Sequence, residues 1–285
     1  VTLRDSLVSE TRQGGDYLGA VGVIAQQGAQ LEIAGTTMAT NEGPGLVGAV
    51  QGTRLSVTDC LFADNRFAGV VASGAHLRLE ASTIQDTTSH PDLGGGYGLY
   101  VFPDDDATST TLVLRDSVVR DNPIAGVWID GPGSYQLIGN DIHGGEGWTR
   151  STLTKCGDAV FARDGVGAWD GSSGLLLEGN HLADGLTAGL FLDDASALLL
   201  DNSYADNGVD LIRQGSACDI PPEGFQDDPI TLAELCPGYD YGTCADTYTV
   251  VMELPELADA RSRAVLQPHL PPVPVQPALA PPRLP

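Results

Sequence analysis

Residues Leu112–Gly133 read LVLRDSVVRDNPIAGVWIDGPG. The same phrase stands as LSVTDCLFADNRFAGVVASGA at Leu55–Ala75 and as LLLEGNHLADGLTAGLFLDDAS at Leu175–Ser196. Each copy alternates apolar and polar residues, breaks at a small polar residue, alternates briefly again and restarts behind a glycine. Alternation with period two marks strands and not helix turns. Three copies of one phrase point to a repeat, and a repeat of this length points to a solenoid.

The small polar residue in each L-x-L-x-x-[STN] unit serves as an anchor. The anchors are Ser6, Thr36, Cys60, Ser82, Ser117, Asn140, Asn180 and Asn202, with successive spacings of 30, 24, 22, 35, 23, 40 and 22. The base period is about 22 to 24 residues. Insertions lengthen it at Glu10–Tyr17, at His90–Gly96 with Pro103–Ser109, and at Gly144–Trp169. The inward candidates before the anchors are Val1/Leu3, Leu31/Ile33, Leu55/Val57, Leu77/Leu79, Leu112/Leu114, Tyr135/Leu137, Leu175/Leu177 and Ala197/Leu199. Two residues past each anchor comes another apolar residue: Val8, Met38, Phe62, Ile84, Val119, Ile142, Leu182, Tyr204. A later strand opens behind a glycine, as at Gly22-Val23, Gly48-Ala49, Gly69-Val70, Gly98-Leu99, Gly126-Val127 and Gly189-Leu190.

Two or three short strands per circuit cannot close a sheet by themselves. Coils stacked about 4.8 Å apart satisfy every backbone group and bury one continuous core. The expected fold is therefore all-β: a right-handed, single-stranded parallel β-helix of about eight coils, its hand following that of parallel crossovers. The anchors form an inward polar ladder at a bend. The residues before them, Asp5, Gly35, Asp59, Ala81, Asp116, Gly139, Gly179 and Asp201, suit a tight turn.

This pattern resembles the right-handed parallel β-helix repeat superfamily, which includes pectate lyases, polygalacturonases, alginate epimerases and many bacterial surface proteins. The resemblance covers Val1 to Gln214 and implies coil architecture far more than chemistry. The Asp-Pro-His-Glu of alginate epimerases, the Asn-Thr-Asp of polygalacturonases and the paired-arginine strand of pectate lyases are all missing from the sequence.

The organisation expected is a β-helix over residues 1–214 that continues a longer chain upstream, a cysteine-containing cap over 215–254 and a Pro-rich extended tail over 255–285. Capping protects exposed strand edges. Val1 falls directly on a repeat position with no initiator methionine or signal peptide before it, so a trimmed chain is expected. Cys60 sits at an inward position as a buried thiol. Cys156, Cys218, Cys236 and Cys244 lie in loop-like sequence. They fit two disulfides, in any of three pairings, better than a zinc site, and disulfides imply an extracytoplasmic, cell-surface or extracellular location. The formal net charge is −24, from 14 Lys+Arg against 38 Asp+Glu. Such a surface repels nucleic acid and anionic membrane. No apolar run approaches the length of a membrane span.

Three groups of residues are candidate sites. Ile24, Val50, Val71, Tyr100, Trp128, Val160 and Phe191 form an expected outward row on the later strand. Tyr100, Trp128 and Phe191 would stack on sugar rings, or else the row is a second small core under an insertion or the C-terminal arm. The second group lies four residues past the anchors: Glu10, Thr40, Asp64, Asp86, Asp121, Gly144, Asp184 and Asp206. Stacked carboxylates would chelate Ca²⁺, whereas Asp-Asn turns would use them to cap local amides. Asp104, Asp105 and Asp106 are a further cation candidate in a loop tip. The third group is the most enzyme-like. Asp141 and His143 flank inward Ile142, with His181 beside Asp141 and Arg120 beside His143 on neighbouring coils. An arginine, an aspartate and two histidines would neutralise a uronate carboxylate and abstract its C5 proton.

Three functions follow as expectations. The first is a non-catalytic scaffold or binding module for polysaccharide or a protein partner. The second is a polysaccharide lyase or uronate epimerase using Arg120, Asp141, His143 and His181. The third is a subunit that self-associates end to end through coil ends, or laterally.

Overall fold

The computed structural model describes residues 1–12, 20–89, 95–104, 110–145, 148–150, 153–155, 158–163, 173–186, 188–193 and 195–214. Three parallel sheets of eight strands each run along a single spiral. Every coil contributes one strand to each sheet. The first coil supplies Thr2–Arg4, Leu7–Ser9 and Val23–Gln26, and the eighth supplies Leu198–Leu200, Ser203–Ala205 and Val209–Gln214. The fold is thus the expected all-β helix of eight coils, with three strands per coil. The expected cysteine cap and Pro-rich tail lie outside the described residues.

The register stacks like on like. Leu3, Ile33, Val57, Leu79, Leu114, Leu137, Leu177 and Leu199 pair in turn along the first sheet. Val8, Met38, Phe62, Ile84, Val119, Ile142, Leu182 and Tyr204 do so along the second. Most of these side chains are fully buried in one continuous core. Each buried aliphatic contributes about 1.5–3 kcal/mol. Val1 was expected to face inward but is 91 % exposed, because the outermost coil has a neighbour on one side only.

Both bends that flank the second sheet turn through a single left-handed residue. The residue before each anchor has φ between 46° and 65° in all eight coils. Aspartate or glycine fills seven of those places, as left-handed backbone favours, and Ala81 fills the eighth. The second bend repeats the device at Glu10, Thr40, Asp64, Asp86, Asp121, Asp184 and Asp206, with φ of 53–57°. The acidic row is therefore a row of one-residue turns. Among the described residues, no group of three or more His, Cys, Asp or Glu side chains is placed to hold a metal ion.

Two polar ladders line these bends. In the first, the backbone N–H of Ser117 donates to Asn140 Oδ1, and the N–H and side-chain amide of Asn140 both donate to Asn180 Oδ1. Asn180 does the same to Asn202 and donates to the carbonyl of Leu137. The hydroxyls of Ser82 and Ser117 each bond back to the carbonyl two residues earlier. A second ladder, five residues past the anchors, was not anticipated. It runs through Thr11, Asn41, Asn65, Thr87, Asn122 and Asn207, with Asn41 donating to Asn65 at 2.7 Å and Thr87 to Asn122 at 2.8 Å. It packs against the glycines that open the third-sheet strands. A Cβ on Gly98 would lie 2.5 Å from the carbonyl oxygen of Gly126 and 2.7 Å from the Asn122 amide.

Two expected assignments need correction. The third-sheet column in register with Tyr100 and Trp128 runs through Ile24, Val47, Val71, Tyr100, Trp128, Phe161, Phe191 and Ile212. Val47 replaces Val50, which sits in a turn after Leu46–Ala49, and this strand opens behind Gly45 and not Gly48. Val160 points inward and is fully buried, and the residue in register with Trp128 is Phe161. The insertion assigned to Gly144–Trp169 is also interrupted. Asp158–Arg163 is a regular strand of the third sheet, preceded by an antiparallel hairpin of Trp148–Arg150 and Leu153–Lys155.

Asn180→Ala should lower stability by about 1–3 kcal/mol by orphaning buried partners on both sides, read as a lower urea midpoint. Gly98→Val should be at least as costly, because backbone and not a flexible side chain occupies the needed space. Unchanged midpoints would contradict the ladder.

Candidate functional site

The second polar ladder breaks at coils six and seven. There the ladder positions are Gly145 and Gly185, where other coils carry Asn or Thr. A Cβ on Gly145 would strike the carbonyl of Asn122, and one on Gly185 the carbonyl of Ala188, so the backbone has closed into the space of the missing amides. In coil six the turn row also changes. Gly144 replaces the acid and is the only member without a left-handed conformation. These substitutions leave a hollow on the outer side of the second sheet and its following bend.

The hollow is an open groove of about 1120 Å³ across coils five to eight. One wall carries Val118, Arg120, Asp141 and His143 from the second-sheet strands, the bend supplies Asp121, Asp184, Asp206 and Asn207, and Pro123 and Leu186 add apolar surface. Three rung steps give it a length of about 15 Å along the spiral.

His143 stands at its centre. The imidazole Nδ1 lies 2.7 Å from Asp184 Oδ2 and Nε2 lies 3.1 Å from Asp141 Oδ1. A carboxylate only accepts, so a ring bonded to one at each nitrogen is the doubly protonated imidazolium. Burial, the largest single influence, pushes the His143 pKa down, but the hydrogen bonds and charges of Asp184 and Asp141 together outweigh it and hold it above the ordinary 6.5. The bridge ties coil six to coil seven across the turn that carries the hairpin. His143 and His181 meet edge to face with ring centroids 6.2 Å apart, and His181 Nδ1 bonds the Ser203 hydroxyl at 3.0 Å.

The expected group of Arg120, Asp141, His143 and His181 is thus assembled in part. Asp141 pairs with His181 as the register required. Arg120 lines the groove, but its guanidinium donates to Gln85 Oε1 at 3.0 Å and lies 3.7 Å from Asp121. Asp184 had been placed only in the turn row. Its partnership with His143 follows from the pairing of His143 with Ala183, one residue before it. The double glycine at positions 144 and 145 was the available signal for the groove.

The aromatic residues gather elsewhere, on the third sheet. Tyr100 stacks on Tyr97 with centroids 4.9 Å apart, and Trp128 meets Tyr97 edge-on at 5.2 Å. Together with Phe67, Phe102, Val71 and Ile124 they form a second small hydrophobic cluster. The Tyr100 hydroxyl and the Trp128 indole N–H both donate to the Asp130 carboxylate. Phe191 is buried in the same outward row. Asp104 packs near Gly74, while Asp105 and Asp106 lie outside the described residues, as do Cys156, Cys218, Cys236 and Cys244. Cys60 is buried, which raises its thiol pKa and leaves it unreactive.

A histidine held above its ordinary pKa stabilises the fold while charged. That contribution is whole below pH 6.5 and is lost as the pH rises through the raised value. The stability gap between the native chain and His143→Gln should therefore be largest near about pH 5.5 and shrink toward about pH 8, as read from urea midpoints. A gap that widens with pH would contradict the bridge.

The family model described as "Right handed beta helix region" covers residues 1–142 and 69–220 in two overlapping stretches. No curated protein and no solved structure matches the chain. With that model spanning well over half of the sequence, the chain belongs to the right-handed β-helix family.

Proposed function

We propose that this chain is an extracytoplasmic, non-catalytic β-helix that binds a neutral, hydroxyl-rich saccharide chain along the groove of coils five to eight. The observation that carries this reading is the groove itself, open across coils five to eight and lined by charged and hydrogen-bonding side chains beside the apolar surface of Val118, Pro123 and Leu186. Sugars present hydroxyls at their edges and C–H surface on their faces, and such a channel matches both. The extracytoplasmic placement rests on the four cysteines of the loop-like sequence at Cys156, Cys218, Cys236 and Cys244.

Electrostatics weigh against the lyase or epimerase reading. Among the described residues, Asp121, Asp141, Asp184 and Asp206 line the groove against the charges of Arg120 and His143. An anionic uronate polymer would meet like charge.

Binding to an immobilised panel of neutral, uronic and amino oligosaccharides discriminates. The neutral members should be retained, and Asp141→Asn should weaken retention about tenfold, the loss of one charge-assisted hydrogen bond. Retention of uronic oligomers with release of unsaturated product would replace this reading with the lyase.

A further inference from the structure

We propose that the groove takes its saccharide with expulsion of the proton that His143 holds between Asp141 and Asp184, the sugar presenting two neighbouring hydroxyls to the pair His143–Asp141. This inference rests on the saccharide reading above and adds its contact residues and its control by pH. The argument starts from hydrogen-bond arithmetic. In the closed bridge both nitrogens of His143 donate, to Asp184 at 2.7 Å and Asp141 at 3.1 Å, and the ring has no acceptor to offer. Asp141 spends Oδ1 on His143, although its side chain is 47 % exposed.

Loss of one proton to solvent leaves a neutral ring with a single N–H. The shorter contact keeps it on Nδ1, facing Asp184. Nε2 then carries a lone pair aimed at a carboxylate, which is repulsive. Two hydroxyl donors resolve this, one to Nε2 and one to Asp141, and adjacent carbons of a sugar ring hold two hydroxyls at neighbouring positions. The ligand supplies two O–H donors and the site supplies two acceptors, with no bond made or broken except N–H.

The groups facing His143 among the described residues are few. Asp141 shares its strand, and His181 approaches from the next strand at 6.2 Å with its own Nδ1 on Ser203. Asp184 stands on the following bend, Arg120 on the preceding strand is turned to Gln85, and Asp121 and Asp206 mark the groove's rim. Of these groups His143 is the one whose pKa is held above its ordinary value, by the hydrogen bonds and charges of Asp184 and Asp141 against the opposing effect of burial. By linkage, a ligand that requires the neutral ring loses about tenfold in affinity per pH unit below the bridge's pKa, and its binding lowers that pKa in return.

The test uses the full chain with cellohexaose, maltohexaose and mannohexaose as probes. Affinities would be measured by calorimetry from about pH 5 to pH 8, with His143 followed by nitrogen NMR in the free and saturated protein. The expected result is affinity that falls with acidification, release of one proton per ligand in buffers of differing ionisation heat, and a lower His143 pKa when saturated. His143→Gln should flatten the pH profile, while His181→Asn should leave it in place. Binding that is flat with pH and leaves the His143 signal unmoved overturns the proton coupling and spares the saccharide reading. Failure of all three probes to bind at any pH overturns both.

Discussion

The structure depends on the hydrogen bond between one coil and the next. Backbone groups make it along three sheets, and side-chain amides make it at two bends. A buried polar group without a partner costs several times what a paired one contributes. A solenoid can bury asparagine only because the same residue stands above and below with donors and acceptors in phase. Asn140, Asn180 and Asn202 are 2 %, 1 % and 7 % exposed and fully engaged. The left-handed residue before each of them brings the ladder into line, and the preference for Asp or Gly there limits the strain of that turn.

The groove is what happens when one ladder stops. Gly145 and Gly185 cannot carry amides without striking backbone, so the second ladder has no members in coils six and seven. The Gly185 N–H still donates to Asn207 Oδ1, and a charged bridge, Asp141–His143–Asp184, joins coils six and seven outside the core where solvent can reach it. The site and the break in the ladder are thus one event. A polar device that joins coils has moved from the interior, where its protonation is fixed, to a surface where it titrates.

Much of this was legible in the sequence, and the parts that were not have identifiable causes. The first two sheets followed from period-two alternation around a polar anchor, because both faces of those strands differ in polarity. The third sheet is apolar on both faces at Val70–Val71 and Leu190–Phe191, so alternation is silent and the strand had to be placed from its leading glycine. Coil two offers Gly45 and Gly48, each followed by an apolar residue, and the wrong one displaced Val47 in favour of Val50. Coil six has Ala159 where the glycine should be, and a one-residue slip turned Val160 outward in place of Phe161. The partners Asp141 and His181 were found because pairing is a column property. Asp184 was missed as a partner of His143 because their contact runs diagonally between columns.

The central proposition is that residues some two dozen positions apart lie directly over one another. Methyl–methyl nuclear Overhauser contacts in a protein labelled at Ile, Leu and Val measure this directly. The account predicts an unbroken series of cross-peaks from Leu3 through Ile33, Val57, Leu79, Leu114, Leu137 and Leu177 to Leu199, each joining neighbouring coils. A series that skips a member, or that joins Leu114 to Leu177 without passing through Leu137, would contradict it.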